Sequence, residues 1–315
     1  MRSVKYDIWS STGRRFDTDA AKPSLEAKDS VVVDVKAAGI NPVDYKLPKW
    51  FFHGKGIGLD FSGVVTQVSP DVQSVAVGDR VFGNTRGALS EQVVCNASHI
   101  AKLPTTFSFQ EGAALPTAYL TSYQAFVNHG FEAGMKVLVI GASGGCGSAG
   151  VQLATAMGAS EVVGVCSKKN EEFVKSLGAD RIIDYQTQSI VDGNAQHFDF
   201  VLDTATASGG GENYLDDAKK VLKDPSKNHV ALNGPPSLWL GRLTPFGRKD
   251  IDLIMTEHKS ADLEGFLKHL EQAGSRPVID SVFPFTQEGV EEAFAKLASR
   301  RVKGKVVVDV GGQQA

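Results

Sequence analysis

The chain is 315 residues long, enough for two domains at roughly 100–200 residues each. Hydrophobic residues make up 42% and charged residues 22%, a globular balance that excludes a disordered chain. With 33 basic and 36 acidic residues the net charge is −3, which gives no electrostatic case for nucleic acid or an anionic membrane as main partner.

Cys95, Cys146 and Cys166 cannot form a disulfide framework and none sits in a CxxC pair, which fits a reducing compartment. The histidines stand singly, without HxxxH or HExxH spacing, so local motifs predict no metal site. The N-terminal residues carry charge before any apolar run develops, and no secretory signal is expected. Residues 137–160 are free of charge and long enough to span a bilayer. Their six glycines and three serines read better as a strand, a turn and a helix, so no integral membrane segment is expected.

In chain order, residues 30–37, 61–68, 77–83 and 89–94 read as short strands separated by Gly/Pro turns, which makes the N-terminal part β-rich. The pattern changes after Pro116. A helix is predicted over 117–128 and a buried strand over 136–140. They are followed by a helix over 148–157, a strand over 161–165, a helix over 170–177, and strands over 181–184, 198–203 and 229–233. Alternating strands and helices mean βαβ units and a parallel sheet. Helices over 261–272 and 287–299 flank a strand near 278–283, and residues 305–310 form a closing strand.

Between the strand at 136–140 and the helix that follows lies Gly141-Ala-Ser143-Gly144-Gly145-Cys146-Gly147. Gly141, Gly144 and Gly147 have GxxGxxG spacing; Gly145, Gly147 and Gly150 also fit GxGxxG. A dinucleotide site needs a tight turn, close approach of backbone to a pyrophosphate, and a helix N-terminus aimed at the negative charge. A turn that is glycine-rich only for packing is the plain alternative; the strand–loop–helix context favours a dinucleotide. NAD-selective folds place a carboxylate about 20 residues beyond the glycines. Here the second strand ends in Cys166-Ser167-Lys168-Lys169, a hydroxyl and two cations that suit a 2′-phosphate, so NADPH is the expected cofactor. The two lysines could instead be the solvated start of the next helix.

The β-rich start, the GASGGCG loop, Ser176–Asp180 (SLGAD) and the closing GKVVV at 304–308 together resemble the medium-chain dehydrogenase/reductase superfamily over essentially the whole chain. Asn41-Pro-Val-Asp44-Tyr45-Lys46, Val77-Gly-Asp-Arg-Val81 and Leu115-Pro-Thr117 resemble its zinc-free, zeta-crystallin-like quinone oxidoreductase branch. NPVDYK, residues 173–180 and residues 278–281 look most like the chloroplast-envelope quinone oxidoreductase homologues. The resemblance implies an α/β fold: a Rossmann doubly wound parallel sheet for NADPH over 117–276, and a β-rich GroES-like catalytic domain from 1–116 and 277–315. Zinc-dependent relatives carry a GHE motif and an upstream cysteine. This chain has Gly58-Leu59-Asp60 and NPVD at those places, so the expected chemistry is zinc-independent. Without a Lewis acid, an acceptor that is already electron-poor suits hydride transfer better than an alcohol does.

By resemblance, Asn41 faces the nicotinamide and the acceptor, and Asp44 and Tyr45 line the same site, Tyr45 as a hydrogen-bond or proton donor. Thr121, Ser143, Gly144, Gly145, Cys146, Ser167, Lys168, Tyr185, Asn233, Gly234 and Lys305 are the expected cofactor residues, with Lys305 near the phosphates. A Pro turn capped by Asn41 and a surface Tyr185 are the plain alternatives. Cys146 stands where the branch usually has valine, as a small filler or, less simply, a redox-sensitive thiol. Residues 208–211 read as a flexible insertion, and 233–248 as a mobile substrate wall or a dimer edge. The expected activity is NADPH-dependent hydride transfer to quinones or α,β-unsaturated carbonyls. The alternatives are an alkenal/enone C=C reductase with incidental quinone activity and an NADPH-binding regulator with little turnover. A homodimer is expected, in a cytoplasmic setting or associated with a plastid envelope.

Overall fold

A computed structural model describes residues 1–25, 27–241 and 251–312. The chain divides into two compact units: residues 1–117, 258–265 and 276–315, and residues 118–257 and 266–275.

The first unit is built on Ser30–Ile40, a strand of 11 residues whose valines and alanines are almost all buried. Register shifts between Val32 and Val33 and between Val35 and Ala37 let it curl and pair antiparallel with three strands. These are Asp60–Val68, Gln92–Asn96 and Lys305–Asp309. Arg80–Asn84 and Ile100–Lys102 extend the sheet at one side and Ile279–Pro284 at the other. The hairpin Ser3–Tyr6/Arg14–Asp17 forms a separate small sheet. The core beneath is aliphatic, from Val31, Val33, Ile57, Val81, Leu89 and Val306, with Phe61 and Phe294. Ser108 caps the helix Phe109–Ala114 in a reciprocal box with Glu111, an element the sequence reading leaves out.

The second unit carries six parallel strands in the order Arg181–Asp184, Glu161–Cys166, Lys136–Ile140, Phe200–Asp203, His229–Ala231, Asp252–Leu253. In order of appearance that is 3-2-1-4-5-6, the doubly wound arrangement, which binds ligands beyond the strand C-termini where the order reverses. The reversal lies between Lys136–Ile140 and Phe200–Asp203. Helices Gly145–Ala156 and Glu171–Ser176 make the crossovers. The fifth strand ends at Ala231 rather than at 233, and the sixth, two residues long, is too short to leave a periodic signal. Within residues 233–248, Pro236–Gly241 form a helix whose Leu238 packs with Leu215, Ala231, Ile251 and Leu253; residues 242–248 lie outside the described residues.

Candidate functional site

In the first unit, strand register gathers polar side chains at one end of the sheet. Gly39 pairs with Asp60, Asp60 with Asn84, and Ile40 with Val306. Asn41, just past its strand, and Lys305 and Asp60, each the first residue of theirs, therefore converge. Lys305 Nζ donates to Asn41 Oδ1 at 2.6 Å and to Asp60 Oδ2 at 2.9 Å. Asn41 Nδ2 donates to the same Asp60 oxygen at 2.9 Å. The other oxygen, Oδ1, accepts from Asn84 Nδ2 at 2.7 Å, from the Thr117 hydroxyl at 2.5 Å and from Thr117 N–H at 3.1 Å. Asp60 is fully buried and Lys305 only 5% exposed. A buried carboxylate persists when its lone pairs are filled and a cation is adjacent, and both conditions hold here.

Asp44 joins from the short helix Pro42–Lys46. Its Oδ2 accepts the Asn41 backbone N–H at 2.7 Å, which ties the helix start to its third residue. The Tyr6 hydroxyl donates to the Asp44 carbonyl at 2.8 Å. Burial pushes the Asp44 carboxyl up to about 7 and the nearby Asp60 charge pushes the same way, while the Asn41 N–H and Lys305 oppose. Asp44 can therefore hold and release a proton near neutrality.

Tyr45 is placed away from Asn41 and Asp44, and the Lys305 ammonium has protein partners. Tyr45, expected beside Asn41 and Asp44, lines a pocket with Thr12, Arg14, Lys49, Glu291 and Phe294. Successive helical residues point about 100° apart, so the turn that sends Asp44 back to Asn41 sends Tyr45 onto the core. Lys305, expected near the cofactor phosphates, spends its ammonium on Asn41 and Asp60, because a buried cation must be paired.

In the second unit, Gly141 turns the chain with φ +79°, and a Cβ at Gly147 would stand 2.0 Å from the Gly141 carbonyl oxygen. Gly144 precedes the helix in extended conformation and Gly145 is its first residue. The Ser122 hydroxyl donates to the Cys146 carbonyl at 2.8 Å, and Cys146 is half-buried. Ser143 Oγ accepts from Asn170 Nδ2 at 3.1 Å. Ser167 is buried where the second strand ends; Lys168 is exposed and paired with Glu171, which holds its ammonium above the usual lysine range. Thr121 is buried, its hydroxyl 2.8 Å from that of Thr256. Tyr185 is exposed just past the third strand, and Asn233 and Gly234 follow the fifth. Ser143, Gly144, Gly145, Cys146, Ser167 and Lys168 thus lie at the C-terminal ends of the first two strands.

Two family models match, one described as an alcohol dehydrogenase GroES-like domain over residues 27–105 and one as a zinc-binding dehydrogenase over 177–308. The chain is 33% identical to 2-methylene-furan-3-one reductase of Solanum lycopersicum, over 98% of this chain and 79% of that one. The chain belongs to the medium-chain dehydrogenase/reductase superfamily. It falls in the quinone oxidoreductase branch of these NAD(P)-dependent oxidoreductases. It is 31% identical to the chloroplastic NADPH-dependent alkenal/one oxidoreductase of Arabidopsis thaliana, over 93% of this chain and 75% of that one. Among solved structures, the quinone oxidoreductase of Coxiella burnetii superposes with a TM-score of 0.83 at 25% identity, over 98% of this chain and 99% of that one.

Sequence reasoning gave no role to Asp60, Asn84 or Thr117. A lone Asp at a strand start or an Asn at a strand end has no local signature; the register that pairs Asp60 with Asn84, and the hydrogen bonds that bring Thr117 to Asp60, are tertiary facts. No described helix is long and apolar enough to cross a membrane.

Proposed function

We propose that this chain reduces α,β-unsaturated carbonyls or quinones with NADPH and without a metal. The observation that carries the reading is the Lys305–Asp60–Asn41 cluster. A zinc site of the kind one matching family model is named for needs anionic or neutral donors converging on open space. At the matching places stand Asn41, Leu59 and Asp60, and the ammonium of Lys305 is hydrogen-bonded to both polar ones. A second cation beside it would be repelled, so the residues do not fit the metal.

They fit a polarised acceptor. The Asn41 amide has its oxygen fixed by Lys305 and one N–H fixed by Asp60, and among the described residues the second N–H takes no protein acceptor. That N–H is a preorganised donor for a carbonyl oxygen that gains negative charge. Asp44, also tied to Asn41, is the group able to supply the proton that balances the added hydride. A hydride at the β-carbon sends an electron pair to the carbonyl oxygen, and protonation completes the saturated ketone or aldehyde; a quinone ends as its hydroquinone. Bound NADPH supplies the hydride.

The loop supports the cofactor: bulk at Gly147 would close the turn, and Gly141, Ser143, Gly144 and the helix N-terminus offer an anion-binding edge. The choice of NADPH rests on Ser167, Lys168 and Lys169, and accords with the name of the Arabidopsis relative. Thr121, Asn233, Gly234 and Tyr185 remain candidate contacts to the rest of the cofactor. As an assembly we expect a homodimer, which sedimentation velocity reads directly. The functional test is NADPH consumption with a 2-alkenal, a cyclic enone and a simple quinone. Turnover with at least one is expected; NADPH binding without turnover on any would contradict the proposal.

A further inference from the structure

Asn170 ends the short turn Lys168–Asn170 that follows Ser167, and it is only 9% exposed. Its Nδ2 donates to Ser143 Oγ of the glycine loop at 3.1 Å, while its Oδ1 is buried without a partner. A buried amide oxygen left unpaired is costly, and the great majority of such atoms find a donor. Exchanging the amide's oxygen and nitrogen would leave its NH2 unpaired instead, and a hydroxyl, which both donates and accepts, satisfies either orphan. The orphan lies between the two segments that form the edge of the dinucleotide site, the glycine loop and the end of the second strand.

We propose that Asn170 is a cofactor-binding residue whose Oδ1 accepts the free 3′-hydroxyl of the NADPH adenosine ribose, while its Nδ2 fixes the Ser143 hydroxyl. The assignment rests on the dinucleotide reading above. The chemistry selects the partner. An amide oxygen needs a donor, which excludes the phosphate oxygens, and Asn170 lies just past the end of the second strand, where this fold places the adenosine ribose, so the donor is a ribose hydroxyl. Ser143 has one proton to give. With a lone pair already occupied by Asn170, that proton is the part left to offer a phosphate oxygen. One side chain thus couples the segment that carries Lys168 to the segment that carries Gly144 and Gly145, and its Oδ1, with no protein partner, is the atom that the cofactor engages.

The test is calorimetric binding to the full-length protein, with 2′,5′-ADP and its 3′-deoxy analogue as probes. Removing the 3′-hydroxyl should weaken binding to the unsubstituted protein about tenfold, the worth of an ordinary hydrogen bond. In Asn170→Ala the two probes should bind equally. In Asn170→Asp, which keeps an acceptor, the preference for the 3′-hydroxyl should persist even though overall affinity falls. Equal binding of the probes to the unsubstituted protein, or an undiminished preference in Asn170→Ala, would overturn the role. Failure of NADP⁺ and both probes to bind the unsubstituted protein would overturn the dinucleotide reading itself and this role with it. Lys168→Ala/Lys169→Ala separates the two further: it should weaken both probes alike and leave their ratio unchanged.

Discussion

At the scale of single residues, Lys305 decides how the buried cluster behaves. Removing its charge as Lys305→Met leaves the fully buried Asp60 carboxyl without its cation partner, which should cost about 3–5 kcal/mol of stability. The double variant Asp60→Asn/Lys305→Met removes both charges and should recover most of that loss in denaturant unfolding. Its turnover should stay low, because Asn41 is no longer held. Recovery of stability and activity together would show that the pair only supports the fold. Asp44 adds a pH signature. Its unfolded form titrates near 3.8 and its folded form at about 7, so between those values the folded chain binds more protons. The stability this group contributes is complete below the lower value, falls as pH rises through the window, and is gone above the upper one. Asp44→Asn lacks that loss. The melting temperature of the variant relative to the unsubstituted protein should therefore be higher at pH 8 than at pH 5. A pH-independent difference would contradict the assignment.

At the scale of elements, the glycine loop was legible because its constraint is local. A positive φ at Gly141 and the 2.0 Å approach at Gly147 demand glycine at fixed spacing whatever surrounds them. Gly147→Ala should therefore lower stability by roughly 1–3 kcal/mol through overpacking and weaken NADP⁺ binding as well, both measurable by thermal melting with and without the nucleotide. The helices Pro116–Val127 and Gln287–Ala298 lie within a residue or two of the ranges read from periodicity. The hairpin Ser3–Tyr6/Arg14–Asp17 and the strand Asp252–Leu253 were missed, being short and without alternation long enough to register. Asn41 and Asp44 were suggested only by resemblance, which marked Asp60 only as standing in the place of a zinc-ligand motif and gave it no role of its own. What joins them is the pairing of Gly39, Asp60 and Asn84 across three strands, information spread over more than forty residues. Tyr45 shows the converse limit, since adjacency in sequence to Asp44 says nothing about which side of a helix a residue takes.

At the scale of the whole molecule, the buried polar cluster belongs to one compact unit and the glycine loop with Asn170 to the other. The two contributions to the proposed reaction are therefore separable by experiment. Substitutions at Asn41 should depress kcat on the order of 10²-fold, the usual loss for one oxyanion donor, with NADP⁺ affinity unchanged. Substitutions at Lys168 and Lys169 should raise the KM for NADPH and leave kcat nearly intact. The most direct measurement of the central claim is deuterium transfer from NADPH deuterated at the transferring C4 position to a cyclic enone, with protein stripped by a strong chelator. The account predicts deuterium at the β-carbon of the saturated ketone at an undiminished rate. Turnover abolished by the chelator and restored by zinc, or reduction without deuterium in the product, would contradict it.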